Sequence, residues 1–132
     1  MAMITKNEFG MVAVNNMVLC KMIIDDMLSM ADFLVPCNKR GRQLKKGLLN
    51  GLNDMLTSVD ISEYNTDVFV RVYFISKFGE SITEISNDLF DRIEKDFEML
   101  CLDKPYEIHA NIKGVMSDRI AVHDLEVTRH ND

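Results

Sequence analysis

The segment Val68–Phe78 (VFVRVYFISKF) constrains this chain most, because it is apolar on both faces. With side chains alternating at period two, Val68, Val70, Val72 and Phe74 share one face. Phe69, Tyr73 and Ile75 share the other, interrupted only by Arg71. A β-branched and aromatic run of this kind predicts a strand, and one apolar on both sides belongs inside a sheet or under two covers. The rest of the chain must therefore supply neighbouring strands and a helical cover.

Downstream, Gly79 breaks the strand and Ser81-Ile82-Thr83-Glu84 reads as a capping box. The helix it opens runs to about Leu102. Ile82, Ile85, Leu89, Ile93, Phe97 and Leu100 form its apolar stripe, while Asp88, Asp91, Arg92, Lys95 and Glu98 lie off it. Lys104-Pro105 ends it. Tyr106–Val115 sets Tyr106, Ile108, Ala110 and Ile112 against Glu107, His109, Asn111 and Lys113, which predicts a strand with one wet face. Ile120, Val122, Leu125 and Val127 predict a last strand before a polar tail, Thr128–Asp132. The 122-to-125 step breaks the alternation and predicts a bulge or an ending there.

Upstream, Glu8–Val14 predicts a first strand, and Asn15 or Asn16 a helix N-cap. The helix stripe Leu19, Ile23, Met27, Met30 and Leu34 continues until Pro36. Cys37–Gly41 reads as a loop. Arg42–Ser58 reads as a second helix, with Leu44, Leu48, Leu52, Met55 and Val59 on one face. Gly47 and Gly51 each cost that helix up to ~1 kcal/mol relative to alanine. Val59–Glu63 predicts a strand, and Tyr64–Asp67 a turn. The order β-α-(α)-β-β-α-β predicts an α+β fold, a small mixed sheet with helices packed mainly on one face, in a single domain over residues 1–132.

The chain has 132 residues, 47% apolar and 27% charged, ordinary values for a domain with one core. Its net charge of −6 argues against nucleic acid or an anionic membrane as a partner of the whole protein. The longest greasy stretch, Met17–Leu34, is interrupted by Lys21, Asp25, Asp26 and Asp32, so no transmembrane segment is expected. Three cysteines without a C-x-x-C pattern fit a reducing compartment. The expected location is cytoplasmic, with any membrane contact peripheral and made through a partner.

No catalytic, metal or cofactor site is expected. His109, His123 and His130 read as surface histidines without zinc-ligand spacing. Phosphate-binding glycine loops are absent. Cys20 and Cys101 read as core cysteines of apolar helices. Cys37, beside Lys39 and Arg40, is the one candidate for an activated thiol, and so for a small thiol enzyme. Asp25 and Asp26 point about 100° apart on a helix and read as solvated carboxylates. The methionines of the first helix, Met17, Met22, Met27 and Met30, read as core filling. What composition leaves unexplained is a basic cluster: Lys39, Arg40, Arg42, Lys45 and Lys46 put five of fifteen cations into eight residues. At the start of a helix they oppose the dipole, so local helix stability does not account for them. They are candidate partner-binding residues, weighed against a plainly solvated loop.

The stretch from Asp67 to Ile82 (DVFVRVYFISKFGESI), an amphipathic helix, and then Ile108–Val115 (IHANIKGV) resemble the core of the alkaline shock protein family, the envelope stress response proteins of Gram-positive bacteria. The opening Phe9–Val14 (FGMVAV), leading straight into a helix, resembles the start of that family. The likeness spans about residues 8–116. It departs where the family has a glycine-rich link and this chain has Ala31–Arg40 and a longer, more helical segment. The resemblance implies a non-enzymatic, cytoplasmic interaction protein that self-associates and is held at the membrane by an anchored partner. A second hypothesis is an RNA- or nucleotide-binding module acting through residues 39–46.

Overall fold

The computed structural model describes residues 2–7, 10–44, 56–77, 79, 81–116 and 120–131. The chain opens with an antiparallel pair, β1 (Ala2–Asn7) and β2 (Gly10–Asn15), in a sheet of its own. Helix α1 (Asn16–Ser29) follows, then the short β3 (Leu34–Pro36). A 3₁₀ turn at Leu56–Ser58 leads into β4 (Val59–Tyr64) and β5 (Asp67–Lys77). Helix α2 (Ile82–Met99), β6 (Glu107–Met116) and β7 (Ile120–His130) complete the chain.

β5 is the centre of a mixed five-stranded sheet, as its two apolar faces require. β6 runs parallel along one edge and β7 lies antiparallel outside it. β3 and β4 divide the other edge between them: β4 pairs with Asp67–Val72 and β3 with Phe74–Ser76. The β4–β5 hairpin turns on Asn65 and Thr66, both left-handed (φ 50° and 70°), the geometry whose twist suits a two-residue hairpin.

Both described helices cover one face. Leu19, Ile23 and Met27 of α1 meet Leu89, Ile93 and Phe97 of α2 over Val70, Val72, Phe74, Ile108, Ala110 and Ile112, all fully buried. Ser81 caps α2 by accepting from the Glu84 backbone N–H at 3.3 Å. The helix ends in a Schellman arrangement: the Leu102 N–H donates to the Phe97 carbonyl and the Cys101 N–H to that of Glu98. Cys101 stands left-handed (φ 60°) where glycine is usual, and it is exposed, not a core cysteine.

Several expectations are corrected. The first strand acquires a hairpin partner, Ala2–Asn7, whose sequence shows no alternation to announce it, and the pair stands apart from the main sheet. α1 stops at Ser29, not Leu34, because the Phe33 and Leu34 N–H groups both donate to the Met30 carbonyl and the chain turns to join β5. The stripe is nonetheless buried to its last member: Met30 closes the turn and Leu34 enters the core from a strand. Arg42–Leu44 is not helical. It is the returning arm of a tight loop. The remainder of that expected helix, 45–55, lies outside the described residues. The expected polar tail is strand through His130, since Thr128, Arg129 and His130 pair with His109, Ile108 and Glu107. The bulge is where the broken alternation puts it: Ile112 and Gly114 oppose Leu125 and Val122, so Lys113 alone faces two residues.

Candidate interaction surface

Two features stand out, a loop that follows β3 and the sheet face that the helices leave open. One is the loop Cys37–Leu44. It closes on itself: the Asn38 N–H donates to the Arg42 carbonyl and the Leu44 N–H to that of Pro36. The Asn38 side chain braces the tip by accepting from the Arg40 and Arg42 N–H groups, both at 2.9 Å. Gly41 (φ 86°) presses against the bulged Lys113, where a Cβ would stand 3.3 Å from the lysine Cβ. Lys39, Arg40 and Arg42 are exposed on this braced loop, with no ion-pair partner among the described residues. Lys45 and Lys46 of the sequence cluster lie outside the described residues.

Beneath the loop, at the joint between β3 and β4, a cleft of about 430 Å³ is lined by Asn38, Lys39, Arg40, Thr57, Asp60 and Tyr73. It is open and of mixed sign. The structure thus brings Lys39 and Arg40 to a cleft that Asp60 also lines.

The second feature is the open sheet face. Pairing sets Arg71 of β5, His109 of β6 and Thr128 of β7 in one row, with Glu107 and Asn111 flanking His109 on β6. His109 Nε2 lies 2.9 Å from Glu107 Oε2, and its Nδ1 meets Glu126 Oε1 and the Thr128 hydroxyl. Arg71 donates to Asn111 Oδ1 at 2.9 Å and lies 3.9 Å from Glu126. The His109 hydrogen bond, and then that of His130, hold the Glu107 carboxyl below its ordinary range. At one end of the face the rings of Phe69, Tyr106 and His130 follow edge to face, at centroid distances of 5.5 and 4.4 Å. Sequence reading placed His109 on the wet face. It missed the cluster, because Glu126 reaches His109 only through the β6–β7 register, which the bulge resets.

Cys37 does not bring a thiol to this arrangement. Cys37 is fully buried against Tyr73 and Ile75. Burial pushes its thiol up to about 12, and the cation that acts on it is Lys113, not Lys39 or Arg40. The expectation of an activated loop thiol is therefore overturned by desolvation. Among the described residues no group of His, Cys, Asp and Glu is arranged to hold a metal ion. No described helix is long and apolar enough to cross a membrane. The chain matches no family model, no curated protein and no solved structure.

Proposed function

We propose that this protein is a non-enzymatic interaction module that associates with copies of itself through the helix-free face of its sheet. The observation that carries the reading is the composition of that face: the ring series Phe69–Tyr106–His130 beside the Arg71–Glu126–His109–Glu107 network. Aromatic groups and arginine are the side chains that most often anchor interfaces. The outer edge of β7 also has no strand partner among the described residues, and an open edge recruits chains. The resemblance to envelope stress response proteins agrees with this role. On that likeness the protein works in the cytoplasm, reaching the membrane through an anchored protein partner.

Sedimentation velocity of the purified chain at roughly tens of micromolar tests the reading, since self-association is set by mass action. A dimer or larger species is expected, reverting toward monomer in Phe69→Ser and Arg71→Glu. A clean monomer in the unaltered protein overturns it.

The braced loop favours a second reading, RNA or nucleotide binding through Lys39, Arg40 and Arg42. It predicts salt-dependent retention of RNA that falls when the three become glutamine. Absence of retention, or its survival in that variant, removes it.

A further inference from the structure

Asp26 of α1 and Asp96 of α2 lie in the seam where the two helices pack, close enough for the Asp96 carboxyl to act on Asp26. Asp96 is only 7% exposed and Asp26 is half-buried. Asp26 Oδ2 and Asp96 Oδ2 are both fully buried, and neither has a hydrogen-bond partner. Two charged carboxylates so placed repel each other and lack solvent, which favours a proton on Asp26.

The surroundings do little to relieve this. Arg92 of α2 is the one cation acting on Asp26, and its guanidinium is engaged elsewhere, with Asp88 Oδ1 at 3.3 Å and the Ser29 hydroxyl at 2.9 Å. Asp25, on the same helix, adds a further negative charge. β2, β3, β4 and the 3₁₀ turn pack against α1, and no ionisable side chain on them acts on Asp26 among the described residues. Asp60 of β4 acts on Cys20 instead. Burial is the largest influence and the Asp96 carboxyl the next, and together they push Asp26 up to about 8.

We propose that the Asp26–Asp96 contact is a proton-operated latch between α1 and α2, closed while Asp26 holds its proton and opened as rising pH removes it. Deprotonation leaves two negative charges in an apolar seam beside Met27, Ile93 and Phe97. The response available to them is separation of the helices, which admits water and uncovers the core face of the sheet. The latch lies on the helical side of the molecule, away from the interaction surface, and stands whether or not that surface binds a partner.

Carboxyl carbon NMR of the full chain, titrated from about pH 4 to about pH 10, reads the pair directly. One aspartate signal is expected to titrate near about pH 8, and to be absent in Asp26→Asn. Amide exchange, corrected for its intrinsic pH dependence, reads the opening: protection along α1 and α2 is expected to fall about tenfold between about pH 7 and pH 9, while that of β5 and β6 holds. In Asp26→Asn the helix protection should stay level. Aspartates that all titrate in the ordinary range overturn the proposal, and so does a fall in helix protection equal in the two proteins. If Asp26→Asn does not fold, Asp96→Asn serves as the second variant, and the titration of the unaltered chain decides alone.

Discussion

Gly41 rests against Lys113, its missing Cβ only 3.3 Å from the lysine Cβ, and this contact seats the basic loop on the sheet. The position is doubly restricted, since its φ of 86° is left-handed. Alanine there meets a backbone penalty of about 1–2 kcal/mol and must also displace the bulged lysine. Gly41→Ala should therefore lower stability by at least about 1 kcal/mol, read as a shifted urea midpoint with an unchanged slope. Full stability in the variant would mean that the loop is not held as described.

Cys101 offers the reverse change. It occupies the left-handed position after α2 without the freedom of glycine. Replacing it with glycine relieves about 1–2 kcal/mol of strain and returns about 0.5–1 kcal/mol through a more flexible unfolded chain. Cys101→Gly should stabilise by roughly 0.5–1 kcal/mol, raising Tm by a few degrees. A lower Tm would contradict the Schellman geometry.

The fold was legible wherever burial follows from short-range periodicity. The two faces of β5, the α2 stripe and its Ser81 cap, and the β7 bulge all follow from local spacing. What was not legible depends on pairing between distant segments. Leu34 continues the α1 stripe perfectly, yet it belongs to a strand because Ser76 offers it a partner. Arg42 has helical neighbours in sequence, yet Asn38 bends it into a loop. Asp26 reads as solvated beside Asp25, and no local pattern reports that Asp96, far along the chain, acts on it. The His109 cluster was hidden for the same reason.

That network gives a test of the open face. The lowered state of Glu107 rests first on its hydrogen bond with His109. His109→Ala should raise the Glu107 carboxyl, because it removes the largest lowering influence and leaves burial, which raises it, opposed by the His130 contact alone. Carboxyl NMR of Glu107 reads this, and an unmoved titration would show that His109 does not hold it.

The pH dependence of stability follows from Asp26. Unfolded, this carboxyl titrates near its ordinary 3.8, and folded it keeps its proton to about 8. Between the two values the folded protein binds more protons than the unfolded chain, so stability falls as pH rises. The contribution is fully present below the lower value and is lost as pH passes the upper one. Relative to the unaltered protein, Asp26→Asn should gain stability steadily from about pH 4 to about pH 8 and no more beyond. Urea unfolding of both proteins across this range is the measurement, and a constant difference would deny the raised carboxyl.

The three cysteines should react in an order set by burial. Cys101 is exposed, Cys20 half-buried and Cys37 fully buried. Desolvation raises the Cys20 thiol and carries that of Cys37 to about 12, so at neutral pH neither supplies appreciable thiolate, the reactive form. Ellman's reagent on the native protein should label Cys101 quickly, Cys20 slowly, and Cys37 only as the loop opens. Gly41→Ala, by loosening that loop, should speed Cys37 labelling in proportion to its loss of local stability, about fivefold for 1 kcal/mol. Cys37 labelling as fast as Cys101 in the native chain would place it at the surface, and would reopen the thiol chemistry that its burial closes.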